Sequence, residues 1–480
     1  MLLRVENLGP LREAEVDLSK RLIVLTGPNN TGKTYLAWSV YGLFRSHFSS
    51  RIELVEEWTE ELLSFPAYEL NLDEKLSLNR DVLLSAIASS YEQDLHLCFA
   101  AGRESFKGVR LSLVEGQGPL EHDKELGLKK QGLIFAAKSG QTWGLVATGS
   151  SPLHLRFALT DSSQPEDVFH TLRGLGDVEV EGQTKSHVEQ MAPGELERTK
   201  RLLRREIISA LTHKLFGTCS LFPAERIAIN IFAKELALTR SKLVDEIVDM
   251  DREEDAKTQL ESIKQRVGRY PWPIRDSLAT ANDLTQLSKQ RAPFRPLADE
   301  LERSVLGGHV HTSEHGEMMF SPLTSPERHL HMHLTASVVK SLSSLVFYFR
   351  HLADEGDFII IDEPELNLHP DGQRHVARVL AKAVNQGLRV MISTHSDYII
   401  RELNNLIMLS KVPKSEAQSL GFEPEWALAP KKVGVYLFEG GTARAVPVEE
   451  TGFSVSTIDE VTNKLNADTQ RLYARLYDEG

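Results

Sequence analysis

Cysteine is scarce in this chain: Cys98 and Cys219 are the two in 480 residues. Two thiols exclude a disulfide-stapled scaffold and a zinc module built on several cysteines, and they fit a reducing compartment. Long apolar runs are missing too. A membrane helix needs about 20 mostly apolar residues, whereas the longest runs here are strand-sized, such as Phe358 to Ile361. The opening MLLRVENLGPLREAEVDL carries charge from Arg4 onward and makes a poor signal peptide. The expectation is therefore a cytoplasmic protein with no membrane attachment. An excess of positive charge is also lacking: 55 Lys and Arg against 68 Asp and Glu leave −13. That balance excludes a protein that coats nucleic acid with its whole surface, while leaving room for a local basic groove. Hydrophobic residues at 41% and charged residues at 26% are globular values. The length sets an expectation of about three domains.

What is present is concentrated at the two ends of the chain. Leu22 to Thr26 (LIVLT) is a continuous apolar run, as in a strand buried on both faces. It leads into Gly27-Pro28-Asn29-Asn30-Thr31-Gly32-Lys33-Thr34 and then into the apolar-periodic TYLAWSVYGLF. The eight residues fit G-x-x-x-x-G-K-[ST], and a buried strand before and a helix after are the context that separates a phosphate loop from an ordinary glycine-rich turn. Gly27 and Gly32 let backbone N–H groups, including those of Asn29, Asn30 and Thr31, turn inward around phosphate oxygens. The helix N-terminus adds positive potential. Lys33 is placed to reach the β- and γ-phosphates, and Thr34 to offer a hydroxyl to Mg2+.

A second constellation begins at Phe358-Ile-Ile-Ile-Asp362-Glu363-Pro364. Four apolar residues fix Asp362 at the carboxyl end of a buried strand, the edge where α/β proteins bind ligands. Asp362 is the natural partner of Mg2+, and Glu363 the residue to orient or deprotonate an attacking water. Further on, Ile392-Ser393-Thr394-His395-Ser396 is an apolar strand that ends in a histidine. His395 would share the edge of Asp362 and hydrogen-bond the γ-phosphate.

DEPELNLHP (Asp362 to Pro370) and STHS (Ser393 to Ser396), together with GPNNTGKT, resemble the ABC-type ATPases of the RecF, SMC and OLD group. They resemble in particular the AAA_15 and AAA_21 ATPases of genome maintenance and anti-phage defence. The resemblance covers about residues 1–50 and 320–410, and PAER (Pro223 to Arg226) also looks like a segment of these ATPases. It implies an α/β fold: an ABC-type P-loop NTPase head with a mixed sheet, plus an inserted helical arm. It also implies ATP and Mg2+ as ligands, and head-to-tail dimers with each ATP between the phosphate loop of one subunit and the signature helix of the other. The usual Ser-Gly-Gly signature is absent. Thr335-Ala336-Ser337, at the head of the next helix, is the candidate, with Thr335 and Ser337 as nucleotide contacts.

The expected organisation is 1–190 for the first part of the head with its phosphate loop and a β-rich lobe, 191–300 for the helical arm, and 301–480 for the second part of the head. The acidic stretch 160–185 reads as a surface loop. Lys200, Arg201, Arg204 and Arg205 form a basic run that reads as a solvated helix face, or as a contact to DNA backbone or a partner. Arg226 reads as a charge returned to the nucleotide or holding the dimer. Six histidines fall between His309 and His333, and HLHMH would put three on one face if extended. The resemblance points to the sensor or regulatory ATPase of a two-component anti-phage system, with a separate nuclease or toxin as effector. A RecF-like DNA repair factor and a non-hydrolysing, ATP-gated scaffold are the rivals.

Overall fold

Four apolar residues in a row cannot alternate between core and solvent, so a strand made of them needs cover on both faces. The computed structural model, which describes residues 1–45, 52–64, 67–115, 132–136, 142–148, 154–160, 193–233 and 270–477, meets this requirement at β3 (Leu22–Thr26), where all five side chains are buried. The expected surface loop at 160–185 and residues 234–269 of the expected arm lie outside the described residues.

Contacts divide the chain into two units. The larger comprises residues 2–42, 95–110 and 219–480. It opens with β1 (Leu2–Leu8) and β2 (Leu11–Asp17), an antiparallel hairpin that precedes β3. Helix α1 (Lys33–Arg45) starts at the end of the glycine-rich loop and runs on into the smaller unit.

The smaller unit comprises residues 43–94 and 111–218, with Met1. Its elements are α2 (Glu53–Leu63), β4 (Ala67–Asn71), most of α3 (Leu72–Cys98) and of β5 (Arg110–Val114), β6 (Gly132–Ala136), β7 (Thr142–Thr148), β8 (His154–Thr160) and α4 (Pro193–Phe216). The strands form an antiparallel sheet in the order β4-β8-β7-β6. The basic run lies on α4, and carboxylates take up much of its charge. Lys200 pairs with Glu60 at 2.6 Å, Arg204 with Glu56 at 3.2 Å, and Arg205 with Glu206 at 3.1 Å. A groove of four free cations for DNA is therefore not what the helix presents.

Back in the larger unit, β9 (Cys219–Phe222) is followed by α5 (Trp272–Asn282) and α6 (Arg295–Leu301). Next come β10 (Gly308–Thr312), β11 (Met318–Pro322), β12 (Leu330–His331) and α7 (Ser337–His351). Further on come β13 (Phe358–Asp362), α8 (Pro370–Asn385), β14 (Arg389–Thr394), α9 (Asp397–Leu409), β15 (Val433–Glu439), β16 (Thr442–Val446) and α10 (Ser456–Tyr477), with short helical turns between them. The main sheet runs β1-β2-β16-β15-β3-β14-β13-β9. From β15 to β9 every neighbouring pair is parallel. The registers set Thr26 beside Thr394 and Asp362 beside Ser393. So β14 separates the phosphate-loop strand from the Asp362 strand, and all three end on one edge.

Helices α7, α8 and α9 cover this sheet with apolar stripes, for example Val339, Leu342, Leu345, Val346 and Phe349 of α7, all buried. Helix α8 ends where expected: Gly387 has φ of 107°, and Leu388 N–H donates to Ala383 O at 3.0 Å. HLHMH is extended only to His331, because Met332–Leu334 turns into a short 3-10 helix and takes His333 out of strand register. His309 and His331 instead pair with Glu302 and Glu317, and the rings of His311 and His329 pack edge to face. Among the described residues no group of three or more His, Cys, Asp or Glu side chains is set to hold a metal ion.

Candidate active site

The loop between β3 and α1 needs glycine at two points for steric reasons. Gly27 has φ of 134°, and a Cβ there would lie 2.3 Å from Phe438 O on β15. Gly32 has φ of 100°, and its Cβ would lie 2.6 Å from the Leu11 side chain. Asn30 takes a left-handed φ of 60°, which an asparagine tolerates. Pro28, Asn29 and Asn30 are exposed on the rim, and Thr31 donates its hydroxyl to Pro28 O at 2.8 Å. Lys33 is buried beneath the loop, where its ammonium donates to Gly27 O at 3.0 Å and Pro28 O at 2.7 Å. Burial lowers its pKa to about 8, against the opposing pull of Asp362, Glu363 and Glu365.

Asp362 and Thr34 come together as expected: the Thr34 hydroxyl donates to Asp362 Oδ2 at 3.0 Å. The other carboxylate oxygen accepts from the Ser393 hydroxyl on β14. A hydroxyl and a carboxylate beside a phosphate loop are hard oxygen donors, the set that suits Mg2+. Next to them Glu363 has φ of 49°, a left-handed conformation that costs a bulky residue about 1–3 kcal/mol. Its N–H is held by Ser393 O at 3.1 Å. Burial, and then the Asp362 charge, raise the Glu363 pKa above the usual carboxylate value. A raised pKa makes the carboxylate a better proton acceptor.

Arg226 holds this strained turn. Its guanidinium is buried and donates to Asp362 O at 2.7 Å, Glu363 O at 2.7 Å, Pro223 O at 3.1 Å, Ser341 O at 2.9 Å and Ser341 Oγ at 3.1 Å. The expectation that Arg226 returns a charge to the nucleotide or spans a dimer is corrected by this count: its donors are taken up by backbone and Ser341. It is a positioning residue that ties β13 to the middle of α7.

His395 reaches the phosphate loop, where its ring hydrogen-bonds the Gly27 backbone. Burial and the Lys33 charge lower its pKa, so the neutral ring prevails at pH 7. Glu365, three residues after Asp362, was not among the candidates. One of its oxygens accepts from the Thr394 hydroxyl at 2.8 Å and from His395 N–H at 2.7 Å, fixing the segment that carries the histidine. The only sequence signal for it is a third acid in DEPE.

The signature candidate divides. Thr335 is buried, and its hydroxyl donates to Met332 O at 2.8 Å. Ser337 is exposed in the first turn of α7, whose N-cap, Ala336, supplies no side-chain cap. Of the pair, Ser337 is the one whose hydroxyl faces outward.

Residues 179–400 match the family model AAA_15, an AAA ATPase domain. The match includes Arg226, Asp362, Glu363 and His395; the phosphate loop lies outside it and is brought to the same edge by the β3–β14 pairing. A search of the curated proteins finds no match. Among solved structures, the SMC head domain from Thermotoga maritima aligns over 93% of this chain and 98% of its own at 10% identity, with a TM-score of 0.27. An SMC head bound to the C-winged helix domain of ScpA aligns over 93% and 96% at 11% identity, with a TM-score of 0.33. An SMC head with an extended coiled coil, bound to the C-terminal domain of ScpA derived from Pyrococcus furiosus, aligns over 97% and 98% at 11% identity, with a TM-score of 0.29. No helix among the described residues is long and apolar enough to cross a membrane.

Proposed function

We propose that this chain, whose residues 179–400 match an AAA ATPase domain, is an ABC-type ATPase that binds ATP with Mg2+ and hydrolyses it with Glu363 as the base. The observation that carries the reading is the convergence on one sheet edge of the buried Lys33, the Thr34–Asp362 pair at 3.0 Å and the strained Glu363. Thr34 and Asp362 would hold the Mg2+. Its contribution would be positive charge that offsets the negative charge developing on the transferred group.

The residues of the chain do the rest. The loop N–H groups and Lys33 bind and orient the triphosphate. Glu363 accepts a proton from water as the water oxygen bonds to the γ-phosphorus. The bond from that phosphorus to the bridging oxygen breaks, leaving ADP and phosphate. His395, neutral and hydrogen-bonded at Gly27, orients the γ-phosphate.

In this reading two copies close head to tail around two ATP molecules, with Ser337 of each reaching the nucleotide of the other. The closed pair acts as the sensor of a two-component anti-phage system and hands its signal to a separate nuclease or toxin. The resemblance of DEPELNLHP and STHS to ATPases in that setting supports this role. The pairing of the basic run with Glu56, Glu60 and Glu206 weighs against the DNA-repair alternative.

The test is Lys33→Ala. It should abolish ATP binding and leave the effector unresponsive. ATP binding and turnover at the wild-type level in this variant would refute the phosphate-loop assignment.

A further inference from the structure

The strand that carries His395 ends one residue too early to hold it. Strand β14 closes at Thr394, so the backbone N–H of His395 has left the ladder of the sheet and needs an acceptor from elsewhere. Glu365 supplies it. One of its carboxylate oxygens accepts from His395 N–H at 2.7 Å and from the Thr394 hydroxyl at 2.8 Å. A carboxylate is the strongest acceptor a protein side chain offers to an N–H. The Thr394 hydroxyl accepts in turn from Ser396 N–H at 3.1 Å.

Glu365 belongs to the segment of the base, two residues beyond Glu363. Two tight turns follow the base. Leu366 N–H donates to Glu363 O at 3.1 Å, and Leu368 N–H donates to Glu365 O at 3.0 Å. A second tie lies farther along the same segment. Gln373 of α8 donates its Nε2 to Leu368 O at 3.0 Å and accepts from the Ser396 hydroxyl. Thr394, His395 and Ser396 are thus each bonded, directly or through Gln373, to the chain that continues from Glu363.

The bond to His395 is made at its backbone, so it fixes where the ring starts from and leaves the ring to reach the Gly27 backbone. One oxygen of Glu365 accepts both bonds. An amide oxygen in the same place can accept them equally well. Aspartate cannot, because its carboxylate is set back by one bond length. Charge and reach are therefore separable at this position. We infer that Glu365 is a positioning residue for His395: it ties the strand end of the histidine to the segment of Glu363, so that base and histidine meet the nucleotide as one body. The inference rests on the reading of His395 as the group that orients the γ-phosphate.

The experiment is a double-mutant cycle on the full chain, read by single-turnover hydrolysis and nucleotide titration, with a thermal melt of each variant. Glu365→Asp keeps the charge and loses the reach. It should slow hydrolysis about 10- to 100-fold, as His395→Ala does, and leave ATP affinity within about threefold of wild type. Glu365→Gln keeps the acceptor and loses the charge, and should hydrolyse ATP within about threefold of the wild-type rate. Glu365→Asp combined with His395→Ala should fall within about threefold of His395→Ala alone, because a residue that acts through another has nothing left to lose once that other is gone. Should both single Glu365 variants be slow, the cycle decides. Losses that multiply in the double variant would overturn the inference. So would Glu365→Asp at the wild-type rate, or an active Glu365→Asp beside a slow Glu365→Gln, which would make the charge the working part. Hydrolysis by His395→Ala at the wild-type rate is a separate result. It would overturn the role of the histidine, and this inference with it.

Discussion

Arg226→Lys separates the positioning of Glu363 from the binding of phosphate. The substitution keeps a buried cation but exchanges a planar fork of five donors for three on a flexible stem. Five contacts join Arg226 to the backbone of Pro223, Ser341, Asp362 and Glu363 and to the Ser341 hydroxyl. An ammonium in that space can satisfy one or two of them. A hydrogen bond to a charged group contributes about 1.5–3 kcal/mol, and a buried acceptor left unpaired costs about 1–3 kcal/mol. Losing the bonds to Asp362 O and Glu363 O thus removes about 3 kcal/mol, treating the two as partly coupled. That energy now holds Glu363 at its left-handed φ of 49°. If half or more of it is lost from the geometry of the base, kcat falls about 10- to 100-fold at about 1.4 kcal/mol per factor of ten. The phosphate loop is untouched, so KM for ATP should change little. Steady-state ATPase assays with a thermal melt on the same preparation measure both. Unchanged kcat in a folded Arg226→Lys protein would refute the reasoning, as would loss of ATP affinity with kcat preserved.

Two further outcomes follow from the electrostatics of the same edge. Lys33 carries its charge below its pKa of about 8 and loses it above, while Glu363 becomes a base only above a raised carboxylate pKa. A profile of kcat/KM should therefore rise on the acid side and fall near pH 8, and Lys33→Arg should move the alkaline limb upward; an alkaline limb that stays put would show that another group sets it. His395→Ala removes a neutral ring bonded at Gly27 and should slow hydrolysis about 10- to 100-fold while ATP binding is largely kept. Equal losses in binding and turnover, measured by nucleotide titration and single-turnover kinetics, would make the histidine structural.

The parts of the site that were legible in the sequence are those in which one short segment carries both the element and the chemistry. LIVLT before GPNNTGKT, and FIII before Asp362, announce strand ends because a fully apolar run has one plausible burial. The contacts that complete the site are long-range. Arg226 reaches Asp362 across 136 positions, and nothing in PAER says that its fork closes on a backbone turn rather than on a ligand. Glu365 stands in plain view, but its bond to His395 N–H depends on how β13 and β14 align. The partners of the basic run on α4 are long-range too, since Arg204 finds Glu56 148 positions away. Nor does HLHMH say where it stops being extended, which the chain does at Met332.

The central claim is that Glu363 activates water at a site whose other residues bind ATP, and Glu363→Gln tests it most directly. The amide keeps the shape of the side chain and loses the base. After incubation with ATP and Mg2+, the nucleotide bound to the purified variant is identified by chromatography alongside wild type. The account predicts ATP, intact and at near-stoichiometric occupancy on Glu363→Gln, where wild type holds ADP. Hydrolysis by the variant at the wild-type rate, or failure of the folded variant to bind ATP, would contradict it.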